Sequence, residues 1–301
     1  MKIFSELEKI PNLSLALGFF DGVHRGHQAV IMQAVEFARE NGTKSAVVTF
    51  RDHPCCYFYG VGPKYILTRE SREEKIAELG VDYLFELDFE SISGLTAEEY
   101  LRDILIKHFT PSAITTGWNH NFGCKKSGNV KFLQDSSDKF GYKYFEIKPQ
   151  KSGLHIISST AIRNSLFDGL IEDANRMLGY NFFIKGEVIE GQKLGRKIGF
   201  RTANLNYPPE LIDLPFGVYE VLVGLGNEKF KGITNFGIRP TVTQNGVHSL
   251  ETHILDFDRD IYGKQIEVEF LKMIRPEKKF SSLDELKNQI QKDIQSVCRN
   301  N

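Results

Sequence analysis

The chain has 301 residues, of which 41% are hydrophobic and 26% are charged, values that are ordinary for a globular protein. Its net charge of −1 gives no general attraction to nucleic acid or to membrane surfaces, so we expect neither as a partner. No apolar stretch approaches the ~20 residues of a membrane span. The charged residues Glu6, Glu8 and Lys9 interrupt the apolar region that a signal peptide would need. The four cysteines contain no CxxC pair. We therefore expect a cytoplasmic protein with reduced thiols.

Up to about residue 180, short apolar runs alternate with helical patterns. The runs predict strands at 13–20, 46–50, 83–87, 113–116 and 144–147. Helices are predicted at 26–41, 71–79, 96–109, 130–140 and 171–178, the third opened by a capping box from Thr96 to Glu99. On the first helix, Val30, Ile31, Ala34, Val35 and Ala38 share one face. This alternation predicts a parallel sheet covered by helices on both sides.

From residue 182 onward the apolar pattern has period two. It predicts strands at 182–189, 218–225, 230–235, 250–255 and 266–274, with Gly, Pro and Asn between them, which is typical of an antiparallel barrel or sandwich. A last helix opens with a capping box from Ser282 to Glu285 and carries an apolar stripe of Leu283, Leu286, Ile290, Ile294 and Val297. The change of pattern predicts two domains, 1–180 and 181–301.

The stretch from Gly18 to Gln28 follows the first predicted buried strand and leads into the first predicted helix. Glycines let a backbone approach a ligand closely, and the start of a helix offers free N–H groups to phosphate. His24 and His27 in this turn are able to donate hydrogen bonds to phosphate oxygens. The stretch therefore favours a phosphate site over a turn with two solvated histidines.

Two further segments of the first half carry polar groups at places suited to a ligand. Ser158, Ser159 and Thr160 precede a helix that carries Arg163 one turn in. This pattern fits a phosphate site, but on its own it favours plain N-capping by Ser158 or Ser159. Asn119 lies in a glycine-bounded loop after a predicted strand, and its amide fits either the recognition of a base or ribose edge or a structural Asx turn.

These motifs and a second set in the other half resemble the bacterial bifunctional riboflavin kinase/FMN adenylyltransferase family. The first set is Gly18-x-Phe20-Asp-Gly-Val-His-x-Gly-His-Gln28, Thr49-Phe50…Pro54, Leu67-Thr68, Gly117…Phe122-Gly123 and Ser158-Ser-Thr-x-Ile-Arg163. The second set is Gly186…Gly191-x-x-x-Gly195-Arg-x-x-Gly-Phe200, Thr202-Ala-Asn-Leu205, Gly217-Val-Tyr219, Asn235-x-Gly-x-Arg-Pro-Thr241 and Glu251-x-His…Asp256-Phe257. Both sets occur in order over nearly the whole chain, and together they are far more specific than the HxGH motif alone.

For the first half, the resemblance implies a Rossmann-like α/β nucleotidyltransferase domain that makes FAD from FMN and ATP. His24 and His27 would act on the ATP phosphates, which requires charge stabilisation and no covalent nucleophile. Gly18, Phe20, Asp21 and Gly26 would form the nucleotide-binding turn. The resemblance also implies that Ser158, Ser159, Thr160 and Arg163 hold the distal phosphates, and Asn119 matches a nucleotide-binding position.

For the second half, it implies a β-barrel riboflavin kinase domain with a C-terminal helix. Gly191, Gly195, Arg196 and Gly199 belong to a loop that would wrap the nucleotide. Thr202 and Asn204 fall on magnesium and phosphate positions, and both offer the hard oxygen ligands that Mg²⁺ prefers. By the resemblance, Glu251 would be the general base for the riboflavin 5′-hydroxyl. Without the resemblance, its context favours a strand-edge surface charge.

Arg201 departs from the family pattern, which usually has proline before the matching threonine. Proline fixes φ and lacks an N–H, so arginine leaves the backbone before Thr202 less restricted. Arginine also adds a positive charge beside the expected phosphate site. These changes either weaken the kinase activity or alter it without loss. The main hypothesis is an enzyme with both activities, using riboflavin, FMN, ATP and Mg²⁺. The alternatives are an adenylyltransferase with an impaired kinase, a flavin-binding regulatory protein and a nucleotidyltransferase for another acceptor.

Overall fold

The computed structural model describes residues 1–191, 199–239 and 247–298. The chain divides into two compact units, Met1–Ser159 and Thr160–Asn301. The sequence predicted the domain boundary at residue 180, which is further along the chain than the division between the two units. That boundary stays a prediction. Cys55, Cys56, Cys124 and Cys298 are free thiols, as expected.

The first unit is built on a parallel sheet. Its strands in chain order are β1 (Lys2–Phe4), β2 (Leu13–Leu17), β3 (Lys44–Phe50), β4 (Tyr83–Leu87), β5 (Ala113–Gly117), β6 (Asn121–Phe122), β7 (Gly128–Asn129), β8 (Lys143–Ile147), β9 (Lys151–Ser152) and β10 (His155–Ile156). Six of them form one sheet in the order β1-β4-β3-β2-β5-β8, with every neighbouring pair parallel. The predicted parallel sheet is thus confirmed, and β6–β7 and β9–β10 form small antiparallel pairs beside it.

The helices of this stretch of the chain are α1 (Arg25–Glu40), α2 (Pro54–Tyr59), α3 (Arg69–Glu78), α4 (Phe89–Ile92), α5 (Ala97–Glu99), α6 (Lys107–Phe109), α7 (Val130–Phe140) and α8 (Ser159–Phe167). Helices α1 to α7 lie between these strands in the chain, and α8 follows the last of them. All five residues of the predicted apolar face of α1 are buried, because this helix packs on β2, β3 and β5. A π-helix at Tyr100–Ile106 joins α5 to α6, so the predicted helix 96–109 is one continuous helical segment with a wider turn inside it.

Hydrogen bonding and aromatic packing hold this segment in place. The predicted capping box is present: the Glu99 carboxylate accepts from the Thr96 N–H at 2.8 Å, and the Thr96 hydroxyl accepts from the Glu99 N–H at 3.3 Å. Hydrogen bonds that the Thr96 N–H and hydroxyl donate to the carboxylate lower the pKa of Glu99. At the other end, Phe109 packs on Phe85 of the central sheet, with ring centroids 4.7 Å apart.

The second unit is a nearly closed antiparallel barrel preceded by α9 (Ile171–Leu178). Its strands are β11 (Phe183–Glu187), β12 (Ala203–Asn206), β13 (Gly217–Leu225), β14 (Glu228–Arg239), β15 (Val247–Ile254) and β16 (Gln265–Pro276), in the order β11-β16-β13-β14-β15-β12. A bridge from Ile189, just beyond β11, to Asn204 on β12 brings the two edges together. This confirms the barrel alternative.

The short helix α9 is tied to the barrel through one amide side chain. Asn175 donates from Nδ2 to the Phe270 carbonyl at 2.8 Å, and its Oδ1 accepts from the Phe182 N–H at 2.8 Å. Ile171 and Leu178 are buried on the same helix. These contacts explain why α9 groups with the barrel unit, whereas the sequence pattern assigned it to the first domain.

The C-terminal helix α10 (Leu283–Cys298) packs Val297, Ile290 and Ile294 against Val218 and Ile233 of the barrel. An ion pair at 2.9 Å between Arg275 on β16 and the buried Asp293 strengthens this attachment.

The predicted stripe is wrong at Leu283, which is 62% exposed because it is the first residue of the helix. The predicted capping box is half formed. The Ser282 hydroxyl accepts from the Glu285 N–H, but the Glu285 carboxylate accepts from the N–H and hydroxyl of Ser281 instead of the Ser282 N–H.

Candidate active sites

The turn between β2 and α1 lies where the strand order of the first sheet reverses. From β2 the chain continues to β3 on one side, whereas β5 pairs with β2 on the other. In parallel α/β sheets, ligands bind at such a point, beyond the carboxyl ends of the strands. The turn at 18–24, Thr49 and Gly117 all lie at this edge, as the sequence predicted.

Unusual backbone conformations shape this turn. Phe20 and Val23 have positive φ angles of 61° and 33°, and Gly22 has a φ of 78°. A Cβ on Gly18 would lie only 2.8 Å from the Phe20 ring, so the ring needs a glycine there. Strained conformations of this kind persist only where surrounding contacts fix them, and they cluster at functional sites.

Side chains bind the backbone of the turn from several directions. The Thr49 hydroxyl donates to the Phe19 carbonyl at 3.0 Å, Gln28 donates to the Val23 carbonyl at 2.8 Å, and the Ser159 hydroxyl donates to the Asp21 carbonyl at 3.0 Å. These bonds hold the turn in one conformation, which is what a preorganised site requires.

Asp21 itself connects the turn to a distant segment. Its buried carboxylate accepts from the Ile66 N–H at 3.1 and 3.2 Å and from the Leu67 N–H at 3.4 Å. These contacts give Asp21 a structural role, and its part in nucleotide binding stays a prediction.

The two predicted histidines lie together at the start of α1. His24 is the N-cap residue, and its Nδ1 accepts from the His27 N–H at 3.3 Å. Because Nδ1 acts as an acceptor, a neutral His24 carries its proton on Nε2. The two imidazole rings stack with centroids 3.6 Å apart, and the Phe20 ring meets His27 edge-on at 5.3 Å. The geometry therefore presents two stacked imidazoles at a helix N-terminus, the combination expected of a phosphate site.

Sequence reasoning missed a buried charged group that supports this turn. Arg72 pairs with the fully buried Glu86 at 2.8 Å and donates to the Phe50 carbonyl at 3.1 Å. Its guanidinium lies 4.9 Å from the Phe19 ring centroid. The signal was present, since Glu86 interrupts an otherwise apolar strand.

The loop that follows β5 lies at the same edge of the sheet. Asn119 is exposed there, and its carbonyl accepts from Asn121 Nδ2 at 2.9 Å. The next residue, His120, stacks on Phe122, and burial of its ring lowers its pKa to about 4. Asn119 is thus accessible to a ligand, and its role stays a prediction.

The predicted hydroxyl cluster falls at the division between the units. Ser158 and Ser159 end the first unit and are half-buried, whereas Thr160 and Arg163 lie on α8 within the second unit. The bond from Ser159 to the Asp21 carbonyl ties this cluster to the histidine turn within the first unit. Phosphate binding by these four residues stays a prediction.

The barrel contains a cavity of about 170 Å³. Its walls come from residues 201–204 before and on β12, from Thr252 and Ile254 on β15, and from the loop 257–262. Thr202 and Asn204, predicted from the sequence to act together, both line it. Gly191 completes the wall; a Cβ there would lie within 2.6 Å of the Asn204 amide, so only glycine permits this contact.

Glu251 is placed beside Asn204 by strand register. Asn204 on β12 is opposite Glu251 on β15, and Glu251 is opposite Asn235 on β14. Residues directly opposite in an antiparallel pair share one face of the sheet. The Glu251 side chain is exposed and forms no ion pair with any residue that the structure describes.

Comparison with known proteins agrees with this division of sites. The family model for FAD synthetase matches residues 7–161, and the model for riboflavin kinase matches residues 178–300. The chain belongs to the bifunctional riboflavin kinase/FMN adenylyltransferase family. Curated members include those of Listeria monocytogenes, 36% identical over 95% of this chain and 91% of the relative, and of Escherichia coli K12, 38% identical over 93% and 90%.

One solved structure is similar over the whole chain. It is described as a macrolide-efflux protein from Streptococcus pneumoniae, and it is 31% identical, with a TM-score of 0.90 over 100% of this chain and 99% of that one. Across residues 1–191, 199–239 and 247–298 of the present chain, no helix is long and apolar enough to cross a membrane.

Two parts of the family's kinase motif need separate comment. Gly195 and Arg196 lie outside the described residues; Gly199 is described and has a φ of +90°, a conformation that favours glycine. Asn235 belongs to the quoted motif but received no role from the sequence. Its register with Glu251 now places it in the same polar row across three strands.

Proposed function

We propose that this chain makes FAD from riboflavin in two ATP-dependent steps. The barrel unit phosphorylates riboflavin to FMN, and the first unit transfers the adenylyl group of a second ATP to FMN and releases pyrophosphate. The observation that carries this proposal is the presence, in one chain of this family, of both the stacked histidine turn and the cavity lined by Thr202 and Asn204.

In the adenylyl-transfer step, the FMN phosphate attacks the α-phosphorus of ATP and pyrophosphate leaves. Negative charge grows on the α-phosphate and on the leaving group, so hydrogen-bond donors fixed before the reaction lower its barrier. His24 and His27 supply such donors at the N-terminus of α1, whose dipole has the same effect. The bonds to Phe19, Asp21 and Val23 keep these donors in place.

In the kinase step, Glu251 accepts the proton of the riboflavin 5′-hydroxyl as that oxygen attacks the γ-phosphorus of ATP. A general base needs an available carboxylate, and Glu251 has one that is exposed and without an ion-pair partner among the described residues. Its register beside Asn204 puts that carboxylate on the strand pair that forms part of the cavity wall.

The donor set of the cavity fits Mg²⁺ brought in with ATP. The Thr202 hydroxyl and the Asn204 amide oxygen are hard ligands, and Mg²⁺ usually takes only one or two protein ligands together with phosphate oxygens and waters. Consistent with that, the described residues contain no cluster of three or more His, Cys, Asp or Glu that would bind a metal without the nucleotide. When bound, the ion would neutralise charge on the phosphates.

The test is to incubate the full chain with riboflavin, ATP and Mg²⁺ and to separate the flavins by chromatography. Formation of both FMN and FAD supports the proposal. Conversion of supplied FMN with riboflavin left unchanged would support a single adenylyltransferase activity, and flavin binding with no conversion would support a regulatory protein. A cytoplasmic location stays a prediction.

A further inference from the structure

Arg201 lies next to the two predicted ligands of the kinase cavity and itself lines that cavity. It stands where the resemblance leads one to expect proline, a residue without charge or side-chain donors. Its side chain is exposed, and the residue that follows it is Thr202. The cavity therefore contains a guanidinium group that the family pattern does not supply.

Contacts hold both the backbone and the side chain of Arg201 in place. Its carbonyl is 2.7 Å from Nδ1 of His253 on β15, and its guanidinium donates from Nη1 to the carbonyl of Asp258 at 3.1 Å. The first contact holds the backbone just before Thr202, and the second holds the side chain against the loop 257–262. A guanidinium has five N–H donors, so this one bond orients the group and leaves other donors for a ligand.

The two arginines of the cavity wall differ in whether they form an ion pair. Arg259, the other arginine of the wall, pairs with Glu228 at 2.8 Å and packs over the rings of Phe230 and Phe257. Arg201 forms no ion pair with any carboxylate of the described residues; its recorded side-chain bond is to a main-chain carbonyl. Asp258 and Asp260 also line the cavity, so without Arg201 the three remaining charged groups of the wall, Arg259 and the two aspartates, would sum to a negative charge that repels a polyphosphate.

We propose that Arg201 binds the phosphate chain of the nucleoside triphosphate in the barrel cavity and thereby sets the affinity of the kinase for Mg·ATP. The planar guanidinium matches two phosphate oxygens at once, which the ammonium of lysine does not. This inference rests on the proposed kinase function. It assigns a substrate contact to Arg201. Among the described side chains of the cavity wall, no other carries a positive charge without an ion-pair partner.

The kinetic test uses the full chain with Arg201→Met, Arg201→Lys and Arg201→Pro. We expect Arg201→Met and Arg201→Pro to raise KM for Mg·ATP in riboflavin phosphorylation roughly tenfold, with KM for riboflavin within about twofold of wild type. Arg201→Lys should recover part of the loss, because it restores the charge without the planar group. Arg176→Met removes an exposed arginine elsewhere in the same unit and should change neither constant.

The inference is overturned if KM for Mg·ATP is unchanged, if KM for riboflavin rises instead, or if Arg201→Pro strengthens nucleotide binding. FAD synthesis from supplied FMN should stay normal in every variant because it takes place in the first unit, and a KM for riboflavin near the wild-type value shows that the barrel has folded. A calorimetric titration with a non-hydrolysable Mg·ATP analogue provides a readout without turnover, and Arg201→Met should weaken one of its two binding sites. If Arg201→Met weakens binding of the analogue but the wild-type chain makes no FMN, the Arg201 contact is supported and the kinase function is refuted. If Arg201→Met binds the analogue as wild type does and the chain makes FMN, the kinase function is supported and the Arg201 contact is refuted.

Discussion

The two candidate sites are assembled in opposite ways. In the first unit, the candidate phosphate site is a single turn: the strained backbone, both histidines and the helix N-terminus lie between Gly18 and His27. In the barrel, the cavity collects Gly191, Thr202 and Asn204 with residues of β15 and the following loop, which are some fifty residues away in the chain. A local site can be recognised from a short motif, whereas an assembled site depends on the fold to bring its parts together.

The first way to test this contrast is to remove the predicted base of the barrel site with Glu251→Gln. The amide keeps the shape of the side chain but accepts no proton, so riboflavin phosphorylation should fall by roughly 10²–10⁴-fold. FAD synthesis from FMN should continue at the wild-type rate. The matched control is Glu210→Gln, another exposed glutamate of the same unit. A kinase rate close to wild type would show that Glu251 is only a surface charge.

The second test removes one donor from the local site with His27→Ala. Losing one donor to the developing charge should slow FAD formation from FMN by roughly 10²–10³-fold, while FMN formation from riboflavin persists. His155→Ala changes an exposed histidine of the same unit and should leave both rates unaltered. Unimpaired FAD synthesis in the His27 variant would remove the turn from the mechanism.

A third test asks whether the assembled site needs only its own unit. Fragments 160–301 and 179–301 should both make FMN and no FAD, since each retains the barrel. The longer fragment should be more stable to urea by about 2–3 kcal/mol, because it keeps the buried face of α9 and the two hydrogen bonds of Asn175. Equal stabilities would mean that α9 adds nothing to the barrel, and an inactive pair would mean that the barrel does not act alone.

The smallest expected effect concerns the loop beside the histidine turn. The pKa of His120 is about 4 in the folded chain against an ordinary value of 6.5, so the unfolded chain binds more protons between these values. The free energy of unfolding should therefore fall by about 1–2 kcal/mol as the pH drops from 7 to 4.5. His120→Phe should weaken that dependence, measured by urea unfolding at each pH. An unaltered pH dependence would show that the ring is solvated in the folded state.

Periodicity and motifs predicted most of the regular elements, and the misses have physical causes. Strand β12 overlaps the Thr202–Leu205 motif and alternates too briefly to show period two, yet it forms part of the cavity wall. Leu283 fits the helical spacing of α10 but lies where the helix begins, so it stays largely exposed. Helical spacing shows which residues share one face of a helix. It does not show where the protein surface that packs against that face ends.

For the sites, motifs predicted candidate residues in both units and missed contacts that join distant segments. The pairing of His24 with His27 follows from a three-residue spacing at a helix start. By contrast, the bond from Asp21 to Ile66, the Arg72–Glu86 pair and the register of Asn235 with Glu251 join segments far apart in the chain. No property of a single segment foretells such contacts, because they depend on how the sheets are ordered.

The capping role of His24 has an evolutionary consequence. The N-cap of a helix accepts Ser, Thr, Asp or Asn with little loss of stability, because each offers an oxygen to the same backbone N–H. A descendant with one of these residues at position 24 would keep the cap of α1 and lose a buried, stacked imidazole from the proposed phosphate site. Helix capping thus places no selective pressure for an imidazole at this position. A lineage that obtained FAD elsewhere would be free to retain a stable first unit that no longer transfers adenylyl groups.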